Sequence, residues 1–414
     1  MGNFCPRKPI QNIPKEEENP PLETEPPSQT QIKDEKITIE EDMPEEMKYA
    51  KKEILPEENI FEDDSIIIIS EEVKVGIKNL GGTSNISTVI QCLSNSKKLT
   101  DYFLYKYKYE AKNKNLEISN EIYKAFKYLW DYNNNNNPFS LNDLKAILSK
   151  NPLYLGEKTN DFKGFITFIL DKMNKELNEK KGNENEHYNN IIKNNPRIQL
   201  DQEKLYEIFE KYYNNNYNSI VSKLFYGISE KQFKCQVCKT TKYSYDIFSF
   251  IEFPLEKIHQ FLDNTNNIDL YECFQFYKKE QFLTRENKVY CNKCKAKNDS
   301  YSTSSLISIP NYLCIILNIN EGNSYKYKLN INESIDLTDY IDKKIDEKNL
   351  IYNLYAVINH KGIDLKSDDY IAYCRHRINN NWYLYNDSIV SKCQKKEDYL
   401  NGISYILFYQ KNEV

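Results

Sequence analysis

The sequence lacks several features that would point to a membrane, to secretion or to nucleic acid. No apolar run approaches the roughly 18 residues of a membrane-spanning helix. Residues 1–20 contain no apolar stretch of the kind found in secretory signal peptides, so we expect a cytoplasmic or nuclear protein. No DNA- or RNA-binding motif is evident, and we expect no nucleic-acid partner.

Histidine is scarce, with 4 residues in 414, whereas cysteine is not, with 10. Cytosolic thiols are kept reduced, so disulfides are rare in intracellular proteins. These cysteines are therefore expected to be metal ligands and buried thiols.

Charge and proline are distributed unevenly along the chain. Residues 1–73 carry 20 acidic and 8 basic residues, a net charge of −12, so the rest carries +7 of the total of −5. The same stretch holds 9 of the 14 prolines and shows no helical periodicity. This composition predicts a disordered acidic tail over residues 1–72 and a folded domain over residues 73–412.

Within the folded part, helical patterns come first and strand patterns follow. Apolar residues recur at helical spacing from Ser84 to about Lys180, and alternating patterns dominate from about Leu224. This order predicts an α+β fold. The polar stretches Asn133–Asn137 and Lys180–Pro196 are interpreted as surface insertions without a function of their own.

Two CxxC pairs predict a metal site. Cys235 and Cys238 form the first pair, Cys291 and Cys294 form the second, and 52 residues separate them. Each CxxC turn can offer two thiolates to one Zn²⁺, and two such turns complete a tetrahedral structural site with no open position for catalysis. Lysines flank both pairs and offset the charge of four thiolates: Lys234, Lys239, Lys293 and Lys295. The alternative interpretation is two unrelated CxxC turns or redox pairs.

The stretch GIKNLGGTSNISTVIQCL, Gly76 to Leu93, is a glycine-bearing loop that leads into an apolar helix. A loop of this kind can present a reactive side chain at a helix N-terminus, and Ser84 occupies that position.

Together with the CxxC pairs, this stretch resembles the Cys box of the ubiquitin-specific proteases. Other segments resemble further motifs of that family in the same order: NDFKGFITFILDKMNKEL, LFYGISEKQFKCQVC, YNLYAVINHKG, DYIAYCRHRINNNWYLYNDSIV and ISYILFYQ. The resemblance implies a papain-like fold of the fingers–palm–thumb type, with zinc fingers at about residues 225–300. It also implies ubiquitin as a partner and cysteine-type deubiquitination as the family activity.

The resemblance places the family's catalytic residues on four positions of this chain. The catalytic Cys falls on Ser84 and the catalytic His falls on Asp369. The third triad residue falls on Asp387 and the oxyanion-hole Asn falls on Asn79, and both are retained.

Three further positions bear on the same site. The Tyr that follows the catalytic Cys falls on Asn85. Of an acidic pair in a neighbouring helix, Asp161 is retained, whereas the Glu is replaced by Gly164.

These replacements predict a protein without protease activity. A hydroxyl ionises less readily than a thiol and needs a positioned base, and an Asp of pKa about 3.9 is a poor base for it. The expected function is therefore a pseudoenzyme that binds ubiquitin or acts as a scaffold in the ubiquitin pathway. The alternative is an active deubiquitinating hydrolase in which Ser84 is the nucleophile and His360 or His376 is the base.

The remaining thiols are expected to be structural. Cys92 lies inside the apolar helix, where buried packing is a better interpretation than a substitute nucleophile. Core or surface positions are expected for the others: Cys273, Cys314, Cys374 and Cys393.

The tail carries two further signals. Gly2 and Cys5 are placed for dual acylation, which would anchor the protein peripherally to a membrane, although Pro6 stands where the motif prefers Ser or Thr. The run Ile66, Ile67, Ile68 and Ile69 has acidic flanks and resembles motifs that bind the small ubiquitin-like modifier. An edge strand that docks on this protein's own domain is the alternative.

Overall fold

The computed structural model describes residues 74–110, 116–150, 162–179, 188–263, 267–318, 328–342, 350–361, 369–400 and 404–412. The predictions for Gly2, Cys5, Ile66 to Ile69 and Asp161 lie outside these residues, as does the tail predicted for residues 1–72. No helix in the described ranges combines the length and the apolar character that crossing a membrane requires.

Helices come first along the described chain, as predicted. They are α1 (Ser84–Ser94), α2 (Lys97–Tyr105), α3 (Tyr107–Glu110), α4 (Glu117–Trp130), α5 (Asn142–Ser149), α6 (Phe162–Leu177), α7 (Tyr188–Asn194), α8 (Gln202–Asn216) and α9 (Ile220–Phe225). Later helices lie among the strands: α10 (Leu255–Phe261), α11 (Leu270–Lys278) and α12 (Glu397–Leu400).

The strands follow the alternating segments of the sequence. They are β1 (Gly227–Cys235), β2 (Thr241–Phe248), β3 (Ile251–Pro254), β4 (Asn267–Asp269), β5 (Gln281–Leu283), β6 (Val289–Cys291), β7 (Ala296–Asn298), β8 (Ser300–Ser308), β9 (Tyr312–Asn318), β10 (Lys328–Asn330), β11 (Ser334–Asp336), β12 (Ile351–His360), β13 (Tyr370–Arg375), β14 (Trp382–Asn386), β15 (Ile389–Lys392) and β16 (Ser404–Lys411). The α+β class predicted from the sequence is confirmed.

An eight-stranded sheet forms the centre of the domain. Its order is β15-β14-β13-β12-β16-β9-β3, and β11 pairs with the other end of β12. One face packs against α1, α2, α4 and α6 in the largest apolar cluster. The opposite face packs against α10 and α11 in a second cluster.

A second sheet, β2-β1-β8-β5, extends from the central one. At its far end the β1–β2 hairpin carries one CxxC pair, and the short β6–β7 hairpin carries the other. Helices α7 and α8 cover one face of this sheet through a third, smaller cluster.

Helix α1 is the element on which the candidate active site is built. All its residues except Ile86 are buried, because the helix lies between the sheet and the surrounding helices. Its polar side chains bond to backbone carbonyls: the Ser87 hydroxyl donates to Thr83 (3.0 Å) and the Thr88 hydroxyl donates to Ser84 (2.7 Å). Such local bonds satisfy the polar groups of a helix that has no solvent face.

Both polar insertions contribute more than was expected. Within Lys180–Pro196, α7 buries the Tyr188 ring against Phe209, at a centroid distance of 5.0 Å. In the asparagine run, the Asn135 side chain accepts a hydrogen bond from the Lys74 amide (3.0 Å). Both stretches therefore brace neighbouring elements, a role that their polar composition conceals.

Candidate active site and metal centre

The loop before α1 is held in a tight bend by its own side chains. The Asn79 side-chain oxygen accepts the Gly81 amide (3.0 Å), and the Thr83 hydroxyl accepts the Leu80 amide (3.0 Å). Gly81 and Gly82 have φ angles of 81° and 63°, a region that glycine enters without steric cost. The bend delivers Ser84 to the first position of α1, where the residue is 2% exposed.

A lysine from α5 fixes the same loop from outside. The Lys145 ammonium donates to the Leu80 carbonyl at 2.6 Å and lies 3.5 Å from the Gly81 carbonyl. Sequence reasoning missed Lys145, because no local pattern marks a contact across 65 residues.

The Ser84 hydroxyl lies against the start of β13. Its oxygen accepts a hydrogen bond from the Tyr370 backbone amide (3.3 Å). Asp369 is the preceding residue; it is exposed, and its carbonyl accepts the Lys361 amide (2.8 Å). The structure thus places Ser84 beside the backbone that follows Asp369.

Asp387 completes the site from the turn between β14 and β15. Its φ of 51° is unusual for a residue other than glycine. One carboxylate oxygen, Oδ2, accepts a hydrogen bond from Asn79 Nδ2 (3.2 Å). The other, Oδ1, is buried without a hydrogen-bond partner in the described residues. One oxygen of the Asp387 carboxylate is therefore engaged by the side-chain amide of the loop residue Asn79.

His376 lies far from the Ser84 hydroxyl. Its ring packs against Trp130 (5.1 Å between centroids), and the Trp130 indole donates to the Ser94 carbonyl at the C-terminal end of α1. Ser94 lies ten positions after Ser84 along the helix, a rise of about 15 Å. His376 therefore sits at the wrong end of α1 to act on Ser84.

His360 lies closer, but within an aromatic cluster. It ends β12, pairs with Tyr370 on β13, and is 4% exposed. Its ring meets the Tyr370 ring edge-on at 5.4 Å and the Tyr405 ring at 6.1 Å. These ring contacts and the burial restrict movement of the His360 imidazole.

The thiol nearest in sequence, Cys92, is a core residue. It is fully buried, and its sulfur lies 3.9 Å from that of Cys374 on β13. Burial, reinforced by the contact with Cys374, raises the pKa of Cys92 well above its usual range. A thiol that resists ionisation in a closed core is a poor nucleophile. Cys273, Cys314 and Cys374 are also buried, and Cys393 is half-buried.

The four cysteines of the CxxC pairs meet at the end of the second sheet. Their sulfur atoms all lie within 4.8 Å of one another. The Cys235–Cys294 and Cys238–Cys291 sulfur distances are 4.0 and 3.5 Å. Zn–S bonds of about 2.3 Å in a tetrahedron place sulfurs about 3.8 Å apart, so this set fits one zinc ion.

The two CxxC turns have matching backbone geometry. Lys239 and Lys295, which follow the pairs, have φ angles of 57° and 58°. Their amides donate to the carbonyls of Cys235 and Cys291, both at 2.9 Å. The repeated turn aims both thiols of each pair at a common centre, which supports a single metal site over two unrelated pairs.

Nearby donors favour the thiolate forms of Cys235 and Cys238, whereas the contact with the Cys238 side chain raises the pKa of Cys294 to about 12. Hydrogen bonds from Thr240, its side chain first, lower the pKa of Cys238 to about 6. The Asn298 side chain donates to the Cys235 sulfur (3.5 Å). A bound zinc would hold the two hairpins together and, with four thiolates around it, would leave no position for substrate.

Comparison with known proteins decides the family. Residues 75–409 match the family model described as ubiquitin carboxyl-terminal hydrolase. This chain belongs to the ubiquitin carboxyl-terminal hydrolase family. The match spans the candidate active site and the metal centre, and it confirms the resemblance noted from the sequence.

Curated members of the ubiquitin carboxyl-terminal hydrolase family align over most of this chain. Ubiquitin carboxyl-terminal hydrolase Usp2 of Drosophila melanogaster is 26% identical over 344 residues, covering 81% of this chain and 34% of that protein. Ubiquitin carboxyl-terminal hydrolase 2 of Homo sapiens is 26% identical over 347 residues, covering 81% and 54%. This chain therefore spans about a third to a half of the length of these relatives.

Two solved structures share the fold of this chain. The yeast SAGA DUBm with an Sgf73 mutant superposes with a TM-score of 0.59 at 19% identity, covering 84% of this chain and 72% of that one. The SAGA DUB module Ubp8/Sgf11/Sus1/Sgf73 bound to monoubiquitin superposes with a TM-score of 0.58 at 20% identity, with the same coverage.

Within this family fold, the structure gathers Asn79, Ser84 and Asp387 around the start of β13. Gly164 lies half-buried in the first turn of α6. The catalytic roles assigned to Asn79, Ser84, Asp369 and Asp387 stay predictions, as do the losses at Asn85 and Gly164.

Proposed function

We propose that this protein is a non-catalytic member of the ubiquitin carboxyl-terminal hydrolase family that binds ubiquitin and serves as a scaffold in the ubiquitin pathway. One observation carries the proposal. At the start of α1, the Ser84 oxygen accepts a backbone amide from β13, while the carboxylate of Asp387 accepts the side-chain amide of Asn79.

Acyl transfer by a nucleophile–base pair needs three things in that place. A nucleophile must lose a proton, a base must take it, and a third group must orient the base. The Ser84 hydroxyl oxygen accepts a hydrogen bond from a backbone amide. The carboxylate of Asp369 carries a negative charge that repels the anion which forms on a nucleophile. Position 369 is an aspartate and carries no imidazole, so Asp387 has no base there to orient. Loss of a nucleophile or base in a comparable triad costs about 10⁶-fold in kcat.

Ubiquitin is the partner that the family best supports. The chain retains the two sheets, the helical lobe and the zinc-binding set of a fold seen elsewhere bound to monoubiquitin. A binding surface of this kind does not depend on the nucleophile, so recognition can persist without cleavage.

The alternative function is a deubiquitinating hydrolase that cleaves ubiquitin C-terminal isopeptide bonds, and family membership favours it. It requires Ser84 as nucleophile and His360 as base. The packing of His360 against Tyr370 and Tyr405 opposes that arrangement, because the two ring contacts restrict movement of the imidazole.

The test uses ubiquitin in two assays of the purified chain. Calorimetric titration of ubiquitin should show binding, and a fluorogenic ubiquitin C-terminal substrate should show no turnover above that of Ser84→Ala. Turnover that Ser84→Ala abolishes would establish the hydrolase. Absence of binding in zinc-loaded, folded protein would remove ubiquitin as the partner.

We further propose a cytoplasmic or nuclear protein with a peripheral membrane fraction. The support is the N-terminal sequence, in which Gly2 and Cys5 are placed for two acyl chains. Gly2→Ala should move this fraction to the cytosol in cell fractionation, and an unchanged distribution would remove the anchoring proposal.

A further inference from the structure

The central sheet ends in an open strand. β15 is the terminal strand of the order β15-β14-β13-β12-β16-β9-β3, and no strand in the described ranges pairs with its outer side. Its first residue, Ile389, is 67% exposed. Exposed edges with unpaired amides and apolar side chains can accept a further strand.

The hydrogen-bond alternation identifies the backbone groups on that outer side. Cys393, just after β15, donates its amide to the Trp382 carbonyl of β14 (2.9 Å). Backbone groups of successive residues in an antiparallel strand point to opposite sides, so those of Ile389 and Ser391 face β14 as those of Cys393 do. The amides of Val390 and Lys392 therefore face outward. Within the described ranges, the Lys392 carbonyl has only a long contact, 3.5 Å from the Gln394 side-chain nitrogen.

Both faces of this edge carry apolar side chains. Val390 is half-buried and packs against the cluster formed with α1. Ile389 points to the opposite face, because side chains alternate along a strand. A strand that covered this edge would need apolar side chains on both of its own faces.

The described chain begins beside this edge. The Lys74 ammonium lies 5.3 Å from the centroid of the Tyr383 ring on β14, and Tyr383 is the cross-strand partner of Lys392. Paired strands lie about 4.8 Å apart, so the place of an added strand is about 10 Å from β14. Four residues connect Ile69 to Lys74, and the five steps from one Cα to the next span up to about 17 Å when the chain is extended.

We propose that Ile66 to Ile69 add to β15 as a further strand of the same chain's sheet. A strand of four isoleucines places two on each face, which suits an edge with Val390 on one face and Ile389 on the other. The charges of the two segments are also complementary. Glu71 and Glu72 follow the isoleucines. The exposed Lys392 and Lys395 lie at the C-terminal end of β15, and Lys74 lies beside the same end.

The docked strand would brace the hairpin that carries Asp387. Gly76 and Ile77 already contact this hairpin, and the Ile77 amide donates to the Asp387 carbonyl (2.9 Å). A short tether gives the segment a millimolar effective concentration at the edge. A ubiquitin-like modifier offering its own sheet edge would have to compete with it.

Hydrogen exchange of the full chain tests the proposal. Amides of residues 66–70 should exchange at least about tenfold more slowly than in a peptide of residues 58–74. Ile67→Lys should return them to the peptide rate and should also speed exchange at Val390 and Lys392. Ile39→Lys, in the same acidic region but away from the segment, should change neither.

A variant of the edge separates docking from a general loss of structure. Ile389→Lys should release residues 66–70 while zinc content and the unfolding midpoint stay near those of the unmodified chain. Exchange of residues 66–70 at the peptide rate in the unmodified protein would overturn the proposal. So would protection that disappears on dilution, which indicates a second copy, or protection that needs an added ubiquitin-like modifier.

Discussion

The metal centre has all the side chains that its chemistry requires, whereas the candidate active site does not. At the metal centre, four thiols meet from two matching turns, with sulfur distances of 3.5 and 4.0 Å across the set. At the start of α1, the backbone positions a hydroxyl, two carboxyl groups and an amide, and among these groups there is neither a thiol nor an imidazole.

The fold depends on the metal centre more than on the groups at the start of α1. A structural zinc site contributes its binding free energy to folding, so the two hairpins need all four ligands. The groups at α1 need only be compatible with the fold. Asn79 satisfies one oxygen of Asp387, and the Tyr370 amide satisfies the Ser84 oxygen.

The largest effect is expected from removing a metal ligand. Structural zinc binds with an apparent free energy of about 10–16 kcal/mol in small zinc domains, much of which supports folding. Cys235→Ser or Cys291→Ser should reduce the zinc content from about one ion per chain to near zero, measured by elemental analysis, and should lower the unfolding temperature.

Cys393→Ser is the matched control, since this half-buried thiol lies outside the tetrad. It should leave the zinc content unchanged. Folded, unmodified protein that contains no zinc after purification with zinc present would contradict the metal centre.

A smaller loss of stability is expected when a side-chain carbon is added at Gly76, where the backbone lies close to the Asp387 turn. A Cβ at Gly76 would lie 2.6 Å from backbone atoms of Asp387 and Ser388, which cannot rotate away. Gly76→Ala should therefore destabilise the protein by about 1–3 kcal/mol in urea unfolding, without loss of zinc.

Gly81→Ala provides the comparison for that variant. Its Cβ would meet nothing within 4 Å, so its cost comes only from the φ of 81°, about 1 kcal/mol. Equal destabilisation by the two variants would show that the close approach at Gly76 is not tight.

Local patterns made much of this fold predictable. CxxC spacing revealed the metal ligands, because each pair is four residues long and its geometry is set by one turn. Alternation located β9, β12, β13, β14 and β16, whose side chains divide between two faces of a buried sheet. Helix α11 was missed even though Asp269 and Glu272 form a capping box, which is a local signal.

The remainder depended on contacts between distant residues. The bond from Lys145 to the Leu80 carbonyl and the bond from Asn79 to Asp387 join segments 65 and 308 residues apart. The edge strand β15 is four residues long and mostly exposed, so its pattern is too short to separate from a loop. Tyr188 was assigned to a polar insertion because asparagine and lysine surround it, yet its ring is buried.

The central claim is that the site at α1 is silent because it lacks a nucleophile–base pair. The most direct measurement is turnover of a fluorogenic ubiquitin C-terminal substrate by the unmodified chain, Ser84→Cys, Asp369→His and the double variant. The unmodified chain and both single variants should be close to inactive, and the double variant should gain more than the product of the singles, because the pair acts as a unit. Robust turnover by the unmodified chain, abolished by Ser84→Ala, would contradict the claim.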